Sequence, residues 1–111
     1  MEKIMKNKLP LPLQEFIEKY PDIWKAYENL GHECHESGPL DEKSRRLVKL
    51  GIAIGARLEG AVHSHAKRAI ESGISHDEIY HVATLAITTI GFPSTIAATT
   101  WIKDILDEKK S

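Results

Sequence analysis

LDEKSRRLVKLGIAIGARLEGAVHSHAKRAIESGIS, residues Leu40 to Ser75, carries the pattern on which the fold turns. Asp41 stands where a helix cap belongs, and Leu47, Leu50, Ile54, Leu58, Ala61 and His65 then fall along one helical stripe. Gly51, Gly55 and Gly60 lie within that stripe, each weakening a helix by about 1 kcal/mol against alanine. A bend or break is therefore expected between Gly55 and Gly60, dividing the stretch into two helices. Gly73 closes the second of them, and Ile74 is the apolar residue that usually follows such an end.

Working outward, the same periodicity gives six helical stretches in all, with no strand-like alternation. The first covers Leu13 to Lys19, with Pro12 suited to its first turn and Pro21 stopping it. The second runs from Asp22, read as its cap, to about Glu36, before Ser37-Gly38-Pro39 breaks the chain. Downstream, Ser75-His76-Asp77-Glu78 reads as a capping box opening a fifth helix. Its buried stripe is Ile79, Val82, Ala83, Ala86, Ile87 and Ile90. Gly91-Phe92-Pro93 turns the chain, and the sixth helix starts at Pro93 or Ser94 and ends in the solvated DEKKS. The expectation is a single all-α domain over residues 1–111, with N-terminal helices over 11–36 and a core over 40–106.

The totals agree with that class and exclude others. A chain of 111 residues, 41% hydrophobic and 28% charged, has the balance of one soluble globular domain. A formal net charge of −1 and a pI near 6.6 favour neither nucleic acid nor an anionic membrane as partner. The weakly polar run from Val82 to Ile102 is broken at Gly91–Ser94, short of the roughly 20 apolar residues a spanning helix needs. MEKIMKNKLPLPL has no apolar run and does not read as a signal peptide. Cys34 stands alone, so no internal disulfide is expected and a cytoplasmic location suits the chain. VATLAITTI and STIAATTW are small and apolar almost all round. Helices of that kind are buried on several sides, so a homo-oligomer is expected.

The histidines separate by geometry. Residues two apart on a helix point about 200° away from each other, so His63 and His65 do not face one metal. His65 lies over Ala61 and Leu58 and points inward. It is either a satisfied core residue or the acid/base of a pocket, and Gly60 and Ala61 leave room beside it. His63 follows Glu59 by one turn and reads as its surface partner. His32, His35 and Glu36, beside Cys34, share the tail of the second helix at a spacing that could hold zinc. Histidines also suit a helix C-terminus for dipole reasons alone. The expectation adopted is no metal and no cofactor, with no role for His76 or His81.

From Leu40 to about Ala98 the chain resembles the carboxymuconolactone decarboxylase family, which includes alkylhydroperoxidase D. The resemblance rests on the stretch quoted above and on HDEIYHVATLAITTIGFPSTIAA. Its skeleton is the acid-capped Leu/Val helix, His65-x-x-x-Ala69-x-x-x-Gly73-Ile74 and the closing Gly91-x-Pro93. EKYPDIWKAYENL is also typical of small members. The resemblance implies an all-α bundle that assembles through its small-residue helices as a trimer or hexamer, with the pocket near the central His-bearing helix. Aligned on His65, the two cysteines of the peroxidase branch fall on Leu58 and Ala61, and its glutamate falls on about Arg46. A dithiol peroxidase needs a thiolate and a resolving partner, so the family's peroxiredoxin-type label is not expected to describe this chain.

The decarboxylase branch does without thiols. The resemblance therefore implies a lyase acting on a small carboxylated or lactone metabolite, with His65 as general acid/base and Arg46 gripping a carboxylate. Leu58, Ala61 and Arg57 would line the substrate site, with Lys67 and Arg68 as further cations. For Arg46 a surface or intersubunit salt bridge is the competing reading. A non-catalytic oligomer binding a small molecule is the alternative for the whole chain.

Overall fold

A computed structural model of the chain describes residues 9–110; side chains are described through Asp107. Most of the stretch examined for a signal peptide, and Ser111 of the tail, lie outside the described residues. The helices are α1 (Leu11–Lys19), α2 (Pro21–Glu36), α3 (Glu42–Gly55), α4 (Glu59–Glu71), α5 (His76–Leu85), α6 (Ile87–Ile90) and α7 (Phe92–Lys110). The architecture is all-α, and all six expected stretches are present. The fifth carries a jog at Ala86, beyond which α6 adds a single turn. None of the helices is long and apolar enough to cross a membrane.

Packing divides the chain after Pro39. The first unit holds α1 and α2, which pack against each other and bury no residue. Pro21 opens α2 at its first position, where the missing N–H is no loss, so Asp22 lies in the first turn and is not the cap. Ile23, Tyr27 and Leu30 form an exposed apolar stripe along α2.

In the second unit α4 lies between α3 and α7, while α5 packs on α7 and α3. The core is Leu50, Ala53 and Ile54 of α3, Val62, Ala66 and Ala69 of α4, Ile79 and Ala83 of α5, and Ala98, Ile102, Ile105 and Leu106 of α7, closed by Ile74. The caps expected from sequence are made. Asp41 accepts from the Ser44 N–H at 2.8 Å. Ser75 and Glu78 complete their reciprocal box, Ser75 Oγ accepting from the Glu78 N–H at 3.1 Å and Glu78 accepting from the Ser75 N–H at 3.0 Å.

The break between α3 and α4 falls inside the expected window but is not made by a glycine. Arg57 adopts φ 58°. Its N–H donates to Ile54 at 3.0 Å, and the Leu58 N–H reaches back to Ala53 at 3.2 Å, the paired bonds that close a helix end. Leu58 thereby leaves the apolar stripe on which its spacing placed it and is 56% exposed. Val48, Ile52, Leu85, Phe92 and Ile96 are exposed as well.

Candidate functional site

His65 sits midway along α4, half-buried, with the half-buried Ala61 one turn before it. It flanks the buried face of α4 formed by Val62, Ala66 and Ala69, with the same intermediate exposure as His63 on the other flank. Burial lowers its imidazole pKa below the usual value, and the positive charges of Arg68, Lys49 and Arg46 lower it further. The neutral ring is thereby favoured, in a setting that supplies cations from two helices: Arg46 and Lys49 from α3, Arg68 from α4 itself. Such a setting attracts anions, and a carboxylate is the simplest small one.

Arg46 makes the salt bridge weighed for it, within its own helix. Its Nε donates to Glu42 Oε2 at 2.7 Å, one helical turn earlier, and Arg45 approaches the same carboxylate at 3.7 Å. Its charge still reaches His65, and a guanidinium that spends Nε on one partner has two further nitrogens to offer another. Of the other cations, Arg68 bears on the ring, whereas Arg57 and Lys67 are not among the charges that move it. Lys49 was missed, although its place three residues after Arg46 puts both on one face of α3. Leu58 and Arg57 are exposed in the turn that leads into α4.

His63 points the other way. Its Nε2 meets Asp104 Oδ2 of α7 at 3.1 Å, so its hydrogen-bond partner is a residue 41 positions away and not Glu59. Glu59 is nonetheless close, its carboxylate lying within 4.8 Å of the other two donor atoms. Among the described residues this is the group with metal-ligand proximity; the expected alternative at His32, His35 and Glu36 does not come together as a three-donor set. Cys34 is an exposed free thiol.

An open groove of about 370 Å³ lies elsewhere, between α3 and α5. Leu47, Val48, Glu78, His81, Val82 and Leu85 line it, and it does not include His65. His81, given no role from sequence, is on its wall. The groove is apolar apart from Glu78 and His81, so it suits contact with apolar surface better than acid/base chemistry.

The model of the carboxymuconolactone decarboxylase family matches residues 21–104. An uncharacterized protein of Methanocaldococcus jannaschii is 29% identical over 102 residues, 91% of this chain and 95% of that protein. An uncharacterized protein of Haemophilus influenzae is 36% identical over 55 residues; the match spans 50% of this chain and 49%, about half, of that relative's length. Among solved structures, an apo carboxymuconolactone decarboxylase family protein from Legionella pneumophila superposes with a TM-score of 0.76. It is 17% identical, with 95% of this chain and 94% of that one covered, and it shows the shared fold.

Proposed function

This chain belongs to the carboxymuconolactone decarboxylase family, and on that premise we propose that it acts on a small carboxylated or lactone metabolite, with His65 moving the proton. The observation that carries this reading is the half-buried imidazole of His65 under the combined charge of Arg68, Lys49 and Arg46. Loss of carbon dioxide from an unsaturated lactone acid leaves an enolate-like anion. The cations would hold the substrate carboxylate and then the developing negative charge, and the imidazole, after taking up a proton from solvent with the anionic substrate bound beside it, would deliver that proton at carbon as carbon dioxide leaves. Dithiol peroxidase chemistry is not part of the proposal, because Leu58 and Ala61 stand at the thiol positions.

The working form in this reading is a cytoplasmic homo-oligomer, a trimer or hexamer. Exposed Val48, Ile52, Leu85, Phe92 and Ile96 in the second unit and the stripe Ile23, Tyr27, Leu30 in the first support it, since a monomer seldom leaves so many large apolar groups in water. A second copy would also supply the wall that the His65 surroundings need to become a closed pocket.

The test is turnover of 4-carboxymuconolactone by the purified protein and by His65→Ala, with the oligomeric state measured by light scattering. Turnover that falls at least about a hundred-fold in a normally folded His65→Ala is the expected result. Full turnover without the imidazole would remove His65 from the chemistry. A second reading, a non-catalytic binding module, is favoured by one observation: the formed groove is apolar and lies away from His65. Saturable ligand binding with no turnover of any lactone or carboxylate would select it.

A further inference from the structure

We propose that Glu59, His63 and Asp104 form a binding site for a divalent transition-metal ion of the Zn2+ type, which ties the first turn of α4 to the second half of α7. The three side chains each offer one donor atom, and all three atoms lie within 4.8 Å of one another. Tetrahedral ligands bound to one ion at about 2.0–2.2 Å stand roughly 3.3–3.6 Å apart. The His63 Nε2–Asp104 Oδ2 separation of 3.1 Å is close enough to reach that spacing by a small side-chain rotation. Glu59 is exposed at the start of α4, so rotation of its side chain can close the remaining gap without moving either helix.

Charge points the same way. Two carboxylates and one imidazole are brought together here from two helices. Lys103, beside Asp104 in sequence, pairs with Asp107 at 3.4 Å. A divalent cation would neutralise the two carboxylates and make use of all three donors at once. One imidazole with two carboxylates is a borderline-to-hard donor set without sulfur, which suits Zn2+, Co2+ or Mn2+ and not Cu(I). Three protein donors leave a coordination position for water.

The site is independent of the proposed chemistry at His65, which leaves α4 about 200° away from His63. Its consequence is mechanical: the ion would fix the first turn of α4, directly after the strained residue Arg57, and so the placement of the helix that bears His65.

The experiment titrates metal-free, full-length protein with Zn2+ by calorimetry and with Co2+ by visible absorption. One ion per chain is expected, raising the melting temperature, with a cobalt spectrum lacking a thiolate charge-transfer band. Asp104→Asn and Glu59→Gln, both exposed and close in shape, should weaken binding by at least about ten-fold and abolish the thermal shift. His65→Ala and a His32→Ala/His35→Ala double variant should bind as the unaltered chain does. The proposal is overturned by absence of saturable binding in the micromolar range. It is equally overturned by binding that survives both Asp104→Asn and Glu59→Gln, or that disappears with His32 and His35.

Discussion

At the end of α4, Gly73 donates to Ile70 and Ile74 to Ala69; at the end of α3, Arg57 donates to Ile54 and Leu58 to Ala53. The hydrogen bonding is the same and the residues differ in kind. Gly73 takes φ 88° without a Cβ to clash, and Ile74 behind it is 5% exposed in the core. Arg57 takes φ 58° with a full side chain, and Leu58 behind it is 56% exposed. One turn has a residue suited to its conformation and an apolar anchor behind it. The other has neither, and it is the one that leads into the helix carrying His65. Arg57 is the one non-glycine residue with positive φ among the described residues, and it stands directly before the helix that bears His65.

The largest expected contrast is between the two apolar residues. Ile74→Ala should cost about 2–5 kcal/mol in denaturant unfolding. Leu58→Ala should cost less than about 0.5 kcal/mol for an isolated chain. An equal cost at Leu58, rising with protein concentration, would mean that another copy covers it. Next come the conformational residues. Gly73→Ala should destabilise by about 1–2 kcal/mol, whereas Arg57→Gly should stabilise by up to about 1 kcal/mol. If Arg57→Gly instead destabilises, the arginine side chain holds the turn and the comparison above fails.

Smaller effects separate the helix starts. Leu58 gives α4 no side-chain cap, so Leu58→Ser should add about 0.5–1 kcal/mol at that end. At the start of α5, by contrast, Lys43 donates to Glu78 at 2.7 Å and Ser75 completes the box. The Lys43 bond, followed by those from Ser75, brings the Glu78 pKa down to about 2. A carboxylate lowered in this way stabilises the fold above its unfolded value of about 4.5, and that contribution is lost as pH falls towards 2. Acid unfolding curves of Glu78→Gln should therefore lie closer to flat between pH 4.5 and 2 than those of the unaltered chain. Matching slopes would show that the box does not couple to stability.

Local signals were legible and distant ones were not. Asp41, Ser75 and Gly73 each act within four residues, and their caps and turn are made as their chemistry requires. The glycines place the break before α4, but nothing in an arginine marks it for positive φ, so spacing alone sets Leu58 on the apolar stripe that it leaves in the fold. The separation of His63 from His65 is legible because the helix period alone sets it. The His63–Asp104 contact spans 41 positions and depends on how α4 meets α7, which no period within one helix encodes. The groove was hidden for a related reason: it forms where α3 meets α5, between Leu47 and Val48 of one and Val82 and Leu85 of the other.

Thr95, Thr99 and Thr100 of α7 each donate a hydroxyl to the carbonyl four residues earlier, at 3.0, 2.9 and 3.1 Å, and Thr84 of α5 does the same at 3.0 Å. A hydroxyl that carries its own acceptor loses little when water is removed from around it. These helices are consequently less water-loving than their threonine content implies, and mean hydropathy understates the surface they can hide. A face of threonines can meet another protein surface dry, without a matching polar group on the other side.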